Sequence, residues 1–416
     1  MFCERVNVIT CDDEALSREK SAGPRPAPCS LVSRVLSWIR WCLEWDTQCV
    51  LELSDYILGA RVPSLYCANG IIGELTKDLL SRKYWPTPLL GSSLQSFFAY
   101  VRRAPNVQYH RMLVRLKDGG LVGLDWYKWQ DCTKRLPPKA PVLLVMHGIT
   151  GSSQAGYATC LCAAFSEGWR PVAMTYRGCG DLPLEAPMVY SAVDTSDIHA
   201  AVLHIQRIFP EAPLLLAGFS LGAMLVTKYL ADIESGSLQS AGTKPVAAVA
   251  LSSLFDIGAA WKRLASASWL DPVYWIQSAV VFRWMLYVRR HEKMLSRIGA
   301  FDKKAFFKST TMVAVDQTLT CKVLGYHEVD EYYRDASSFQ YIQHIRTPCL
   351  FIVSTDDPFV RDLPIEECRK NQRTVLLVTR HGGHCAHLQG LLPFGRSYID
   401  DCTVIFLKAM LDEKAS

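Results

Sequence analysis

The chain alternates between short, unbroken apolar runs and longer segments with helical periodicity. Strands that are buried on both faces of a parallel sheet appear in a sequence as continuous apolar runs rather than as alternating ones. We therefore predict strands in PVLLVMHG (141–148), RPVAMTYRG (170–178), PLLLAGFS (213–220), PVAAVALSS (245–253), PCLFIVSTDD (348–357) and TVLLVTR (374–380).

Helical patterns separate most of these runs. They cover about 155–167, 194–208 and 221–232, and a last helix is predicted over about 397–413. Regular alternation of strand and helix predicts an α/β fold with a mostly parallel sheet and helices on both of its faces. Earlier in the chain, the segments 107–116 and 121–129 alternate and are separated by Lys117-Asp118-Gly119-Gly120, which predicts an antiparallel hairpin.

The spacing of the strands predicts how the chain is divided. The gap between the strands near 253 and 348 is too long for a bare loop, and it is rich in Trp, Tyr and Arg, which favours a helical cap over the mouth of the sheet. We expect an N-terminal tail and amphipathic helical region over 1–105, the first half of the core over 106–253, the cap over 254–340, and the second half of the core over 341–416. Within the first region, 82–105 is expected to be a loop.

The N-terminal region has no feature typical of a secretory leader. Charged residues stand where a signal peptide would have its apolar core. A membrane span is not predicted either, because the sequence contains no apolar window of about 18 residues. Segment 31–60 is interrupted by charges and is predicted to be an amphipathic helix, either docked on the body or lying at a membrane surface.

Composition narrows the class of protein further. A formal charge of +5 over 416 residues does not suggest a nucleic-acid partner. The fifteen cysteines are scattered, odd in number and without a CxxC pair, so we expect buried, reduced thiols in a cytosol-facing intracellular chain. No metal site and no cofactor are predicted.

Gly218-Phe219-Ser220-Leu221-Gly222 lies between a predicted buried strand and a predicted helix. G-x-S-x-G in that context is typical of a nucleophile elbow, a sharp turn that raises a serine hydroxyl above the sheet. Gly218 and Gly222 leave room for the chain to pass closely, which a β-carbon would prevent.

A serine nucleophile needs a base and an acid, which should follow late strands in the order serine, acid, histidine. Asp356 and Asp357 follow one late strand, and His381, His384 and His387 follow the last. Spacing does not distinguish among these candidates. The oxyanion hole is expected from the backbone N–H groups of Leu221, next to the nucleophile, and Ile149, in the glycine-flanked loop after an early strand.

The chain resembles the AB-hydrolase family 4 of the α/β-hydrolase superfamily, over residues 107 to 405. The motifs that carry the resemblance are DGG-x-x-x-LDW (118–126), HGITG (147–151), YRGCG (176–180), GFSLG (218–222), GYHEVDEYYRDAS (325–337), TDDPF (355–359) and HGGH (381–384). The resemblance implies Ser220 as nucleophile, Asp356 as acid and His384 as base. It also implies activity on phospholipids or other acyl lipids.

Two positions depart from the family pattern. His381 stands where relatives have a tyrosine or a similar residue. Many eukaryotic relatives carry an N-terminal membrane anchor, whereas the corresponding region here is charged and has no apolar segment of spanning length, so we do not expect integral membrane placement. Basic and aromatic residues of the cap (283–308 and 269–287) suit either a peripheral contact with anionic lipid or a solvated helix face over an aromatic core.

The predicted function is therefore that of a serine hydrolase of the esterase or phospholipase type, with an acyl ester or phospholipid as substrate. Two alternatives stay open at the level of sequence. One is an acyltransferase that discharges the same acyl-enzyme to an alcohol, and the other is a non-catalytic scaffold that retains the fold.

Overall fold

The computed structural model describes residues 50, 53–54, 62–76, 78–79, 82–88, 91–101, 107–154, 158–238, 244–269, 272–360, 362–392 and 395–415. Apart from residues 50, 53 and 54, the amphipathic helix predicted over 31–60 lies outside these ranges.

The apolar runs form the strands of one mixed sheet. Within the described residues the strands are β1 (Ser64–Tyr66), β2 (Tyr109–Arg115), β3 (Leu121–Tyr127), β4 (Val142–Met146), β5 (Arg170–Thr175), β6 (Leu214–Phe219), β7 (Ala247–Leu251), β8 (Cys349–Ser354) and β9 (Thr374–Thr379). Their order across the sheet is β1-β9-β8-β7-β6-β4-β5-β3-β2. Strands β4 to β9 are parallel, whereas β2, β3 and β1 join the two edges in antiparallel fashion.

This arrangement confirms the predicted α/β-hydrolase fold and the hairpin of β2 and β3. The short edge strand β1, which pairs with β9, was not predicted. Three residues with little alternation give too weak a signal to be found from sequence.

Helices pack on both faces of the sheet. Their bounds are α1 (Ile71–Leu75), α2 (Ser92–Val101), α3 (Trp129–Lys134), α4 (Ala158–Ser166), α5 (Ser196–Ile208), α6 (Leu221–Ser235), α7 (Ile257–Ala265), α8 (Pro272–Arg290), α9 (Glu292–Leu295), α10 (Lys303–Phe306), α11 (Met312–Val315), α12 (Cys321–Leu324), α13 (Val329–Ala336), α14 (Phe339–Ile342), α15 (Ile365–Lys370) and α16 (Tyr398–Ala415).

Alternate residues of each central strand enter two separate cores. In β4, Leu144 and Met146 pack with α5, α6 and the cap, while Leu143 and Val145 pack with α4 and α16. Every residue of β4 is therefore buried, which explains why its sequence is an unbroken apolar run.

The prediction of a loop over 82–105 was wrong in part, because α2 occupies Ser92–Val101. The positions Leu94, Phe97, Phe98 and Val101 carry the i, i+3, i+4, i+7 spacing of an amphipathic helix, and this signal could have been recognised. Its neighbours Trp85, Pro86 and Pro88 obscured it, since they are typical of an irregular segment.

The insertion between β7 and β8 is helical, as predicted, and comprises α7 to α14 with a π-helical turn at Asp316–Thr320. The division of the chain at residues 105, 253 and 340 stays a prediction. Among the described helices, none combines the length and the apolar content that crossing a bilayer requires.

A buried carboxyl group joins two elements of this cap. Asp316, in the π-helical turn, accepts hydrogen bonds from the Thr320 hydroxyl (2.7 Å) and from the Tyr333 hydroxyl of α13 (3.0 Å). Burial raises the pKa of Asp316 to about 7, although both hydrogen bonds act in the opposite direction.

We predict that Asp316 makes the stability of the folded chain depend on pH. A carboxyl whose pKa is higher in the folded than in the unfolded state contributes stability at low pH, and this contribution is lost as pH rises through about 7. Relative to wild type, Asp316→Asn should gain roughly 2.5 kcal/mol of unfolding free energy between pH 5 and pH 8, because the unfolded aspartate is already ionised at pH 5 and only the folded one titrates in this window. Urea unfolding at the two pH values measures this gain.

Asp412→Asn, on an exposed position of α16, is the matched control and should follow the wild type at both pH values. Parallel pH profiles for wild type and Asp316→Asn would contradict the prediction.

Candidate active site

Ser220 occupies the sharp turn between β6 and α6. Its backbone has φ 55° and ψ −112°, a left-handed conformation that a residue with a β-carbon rarely adopts. The Ser220 N–H donates to the carbonyl of Leu251, at the end of the neighbouring strand β7 (2.8 Å). The strained turn is thereby fixed to the sheet, and the side chain is lifted off the strand direction.

Gly218 and Gly222 are required by close backbone contacts. A β-carbon at Gly218 would overlap the carbonyl oxygen of Gly222, and one at Gly222 would overlap the carbonyl oxygen of Met146, at the end of β4. Because backbone atoms cannot move aside as a flexible side chain can, both positions exclude a larger residue.

His384 lies between Ser220 and an aspartate. Its Nε2 is 2.9 Å from Ser220 Oγ, and its Nδ1 is 2.9 Å and 3.1 Å from the two carboxylate oxygens of Asp357. These residues follow β9, β6 and β8, which are parallel, so their carboxyl ends meet at one edge of the sheet. The Nδ1 proton is donated to Asp357, which leaves Nε2 free to accept the Ser220 proton.

The structure corrects the prediction of Asp356 as the acid. Asp356 turns away from His384: it accepts the Gly383 N–H (2.9 Å), and its carboxylate lies 3.9 Å from Nδ1 of His381. Asp357 instead is fully buried against His384 and also accepts the Phe359 N–H (2.8 Å). Adjacent residues leave a strand end in different directions, and spacing in the sequence does not reveal which one faces the histidine.

The environment of His384 stabilises its protonated form, the imidazolium that arises when the ring takes a proton from Ser220. Burial by itself would lower the pKa of His384, but the adjoining Asp357 carboxylate outweighs burial and the pKa is raised well above its ordinary value. The imidazole ring packs on Phe359, with ring centroids 4.4 Å apart, which limits its rotation.

The other two histidine candidates have different partners. Nε2 of His387 lies 3.0 Å from the Thr379 hydroxyl, and burial lowers the pKa of His387 to about 4. His381 is buried beside Asp356. The structure thus brings only His384 of the three into contact with Ser220, within the part of the chain that it describes.

The loop after β4 lies against the nucleophile. A β-carbon placed on Gly148 would be 3.4 Å from the Ser220 β-carbon, so Gly148 lies in contact with the nucleophile. Ile149 is the next residue of the chain. His147 holds this loop: its Nδ1 donates to the Gly148 carbonyl (2.7 Å), and its Nε2 accepts the Tyr176 N–H (3.3 Å). Burial lowers the pKa of His147 to about 4, so the ring is neutral at physiological pH.

The backbone N–H groups of Ile149 and Leu221 are the predicted donors of the oxyanion hole. Neither is donated to an acceptor among the described residues. Leu221 also begins α6, where the first N–H groups and the helix dipole favour negative charge. This arrangement is compatible with the predicted oxyanion hole, which stays a prediction. Within the described ranges, no group of three or more His, Cys, Asp or Glu is placed to hold a metal ion.

The chain is similar in sequence to a known protein family and to several characterised proteins. The sequence model of the Alpha/beta hydrolase family matches residues 142–392, which include Ser220, Asp357 and His384. Phospholipase ABHD3 of Mus musculus is 28% identical to this chain over 365 residues, and the alignment covers 85% of each of the two chains. Embryogenesis-associated protein EMB8 of Picea glauca is 30% identical over 343 residues, covering 80% of this chain and 73% of that one.

Two further proteins are similar to this chain. The monoacylglycerol lipase of Saccharomyces cerevisiae is 28% identical over 368 residues, covering 78% of this chain and 80% of that one. Among solved structures, the Pyrococcus furiosus esterase Pf2001 is 16% identical with a TM-score of 0.46, covering 75% of this chain and 97% of that one.

The geometry predicts unequal effects for the two adjacent aspartates. Asp357→Asn should reduce kcat/KM for a short-chain p-nitrophenyl ester by about 10⁴-fold, because the amide no longer holds His384 in the productive tautomer. Asp356→Asn should cost less than about tenfold, because an amide oxygen at position 356 can still accept the Gly383 N–H. Equal losses in the two variants, or a larger loss at position 356, would overturn the assignment of Asp357.

Proposed function

The chain belongs to the alpha/beta hydrolase family, and we propose that it is a serine hydrolase that cleaves carboxylic esters of lipids. The observation that carries the proposal is the continuous line of hydrogen bonds from Asp357 through His384 to Ser220, with both links at 2.9 Å. Ser220 is the nucleophile, His384 the general base and acid, and Asp357 the residue that orients and stabilises the imidazolium.

Catalysis begins when Ser220 Oγ attacks the ester carbonyl carbon while Nε2 of His384 takes the hydroxyl proton. The carbonyl oxygen becomes an oxyanion, which the N–H groups of Ile149 and Leu221 stabilise; one such donor contributes about 2.7–4 kcal/mol in serine hydrolases. As the tetrahedral intermediate collapses, the C–O bond to the alcohol breaks and the leaving oxygen takes the proton from His384.

The second half of the reaction regenerates the enzyme. His384 removes a proton from water, the resulting hydroxide attacks the acyl carbon bound to Ser220, and a second tetrahedral intermediate forms. It releases the carboxylic acid and returns the proton from His384 to Ser220 Oγ. Discharge to an alcohol in place of water would make the same acyl-enzyme an acyltransferase intermediate.

A lipid ester is the substrate class that we propose. Two of the similar proteins are named a phospholipase and a monoacylglycerol lipase, and both substrates carry an acyl ester on glycerol. The surface near the cap supports this choice. Helix α8 buries Val280, Trp284 and Val288 against the body and leaves an apolar stripe of Trp275, Phe282 and Leu286 between about half and three fifths exposed.

The same surface suits a peripheral contact with anionic lipid, which we propose as the way in which the chain meets its substrate. Helix α2, in contact with α8, adds exposed Phe97. From Arg283 to Lys308 there are eight Lys or Arg side chains against Glu292 and Asp302. Three of the eight, Arg283, Arg289 and Arg290, are exposed on α8, the helix that carries the apolar stripe. Exposed aromatic residues beside cations are typical of surfaces that dock on anionic membranes.

We further propose that this contact takes place on a cytosol-facing membrane surface. The ten described cysteines are free thiols, and seven of them are buried. Free thiols in this number are typical of reducing compartments.

We predict that the wild-type chain reacts with a fluorophosphonate probe and hydrolyses monoacylglycerol or phosphatidylcholine. Ser220→Ala should abolish labelling and lower kcat by about 10⁶-fold, as loss of a serine nucleophile does. Ser235→Ala, on the exposed last residue of the helix that follows Ser220, is the control and should retain both activities.

Products should be measured with and without an added alcohol. Release of free acid in both cases supports a hydrolase, whereas ester formation as the dominant product would favour the acyltransferase. Absence of both labelling and turnover in folded wild-type protein would favour a scaffold without catalysis and would overturn the proposal.

We predict that the chain sediments with vesicles of phosphatidylcholine and phosphatidylserine at low salt, and less at high salt because ions screen the cationic cap. The double variant Trp275→Ser/Phe282→Ser should weaken binding at least tenfold, because burying one aromatic side chain contributes roughly 1.5–3 kcal/mol. Leu113→Ser, at an equally exposed apolar position of β2 on the sheet edge, is the control. Binding that is insensitive to the α8 variant would contradict this docking surface.

A further inference from the structure

Helix α2 contacts the turn that carries His384, although it precedes residue 142, where the family match begins. The backbone N–H of His384 donates to the hydroxyl oxygen of Ser96, at 2.7 Å. A β-carbon on Gly383 would lie 2.5 Å from the Ser92 carbonyl oxygen and 2.6 Å from Ser96 Oγ. The helix and the turn are therefore packed backbone against backbone at the residue before the histidine.

Both hydrogen-bonding functions of the Ser96 hydroxyl are in use. It donates its proton to the Ser92 carbonyl, one helical turn earlier (2.7 Å), and accepts the His384 N–H through a lone pair. The donation to Ser92 fixes the rotamer of Ser96 and so fixes where the lone pair points. Ser96 is buried, so removal of its hydroxyl leaves a sheltered N–H without its acceptor.

The turn depends largely on side chains, although one backbone hydrogen bond closes it, from the His387 N–H to the Gly382 carbonyl (2.8 Å). Gly383 and Cys385 have φ of 56° and 57°, so neither strand nor helix can continue through them. Three consecutive N–H groups are donated to side-chain oxygens from three separate elements: Gly383 to Asp356 (2.9 Å), His384 to Ser96 (2.7 Å) and Cys385 to Ser252 (3.0 Å).

Of these three acceptors, Ser96 of α2 is the one that binds the N–H of His384 itself. The imidazole must keep contact with Ser220 and Asp357 at the same time, and both contacts are 2.9 Å. A small displacement of the His384 backbone would lengthen at least one of them. Misplacement by about 1 Å commonly costs about 100-fold in rate.

We propose that Ser96 is a positioning residue for His384, and that α2 is thereby part of the catalytic apparatus rather than an appendage of the fold. The inference rests on the proposed function, since it concerns the orientation of the same base. Ser96 does not contact the substrate or the reacting atoms; it acts through the backbone of His384.

The test compares Ser96→Ala with Ser93→Ala, the same chemical change on the same helix. Ser93 makes no side-chain hydrogen bond with any described residue. Hydrolysis of a p-nitrophenyl ester gives kcat and KM, with the concentration of reactive sites determined by the fluorophosphonate burst. Thermal unfolding is recorded for each variant.

We expect Ser96→Ala to lose about 10- to 100-fold in kcat per reactive site, with KM changed less than about twofold, because an interaction that acts only on the transition state lowers kcat alone. Ser93→Ala should match wild type. Ser96→Thr keeps a hydroxyl that can bond to the carbonyl four residues earlier, so it should recover most of the lost kcat.

Two results would overturn the inference. One is a wild-type kcat per reactive site in Ser96→Ala, with or without a lower unfolding temperature, because the hydroxyl would then serve stability alone. The other is an equal loss in Ser96→Thr and Ser96→Ala. Failure of the proposed function is distinguishable, because wild type and Ser93→Ala would then show neither labelling nor turnover.

Discussion

Ser220 holds a backbone φ of 55°, a conformation that a residue with a β-carbon keeps only when the surrounding chain enforces it. The enforcement comes from close contacts between β4, β6 and α6, at which Gly218 and Gly222 admit neighbouring carbonyl groups. The cooperative packing of the parallel sheet thus stabilises a locally unfavourable turn. The remaining parts of the site are arranged around the position that this turn gives to Ser220 Oγ.

The residues facing Ser220 come from distant parts of the chain. Asp357 and His384 follow β8 and β9, and their hydrogen bond places a buried carboxylate against the imidazole. Without that carboxylate, burial would lower the pKa of His384. Burial disfavours charge, and the Asp357 carboxylate reverses that effect on His384. The result is an imidazole held by its partner on one side and by the backbone contacts of its turn on the other.

The cap is tied to the loop after β4. Arg283 of α8 donates to the Thr150 carbonyl (3.0 Å), and the Thr150 N–H donates to the Tyr190 hydroxyl (3.1 Å). Tyr190 in turn stacks on Trp284 of the same helix, with ring centroids 5.0 Å apart. The helix with the exposed apolar stripe is therefore connected through two contacts to the residue next to Ile149, so the surface that we propose to face lipid and the loop after β4 form one packed unit.

The sequence by itself determined the elements whose signals are local. Continuous apolar runs indicate strands buried on both faces, Asp118-Gly119-Gly120 indicates the hairpin, and G-x-S-x-G between strand and helix indicates Ser220. The order of these residue types along the chain left two candidates for the acid, Asp356 and Asp357, and three histidines for the base. Each of these inferences needs only near neighbours along the chain or the order of the strands.

Tertiary structure alone decided which side chains meet. Asp356 and Asp357 are adjacent and chemically identical, and only the direction in which each leaves β8 makes Asp357 the partner of His384. Ser96 is an ordinary helical serine until α2 packs on a turn 288 residues later in the chain. Contacts over such distances depend on how complete elements pack, and side-chain direction at a strand end depends on the turn that follows, so neither is encoded by spacing or local pattern.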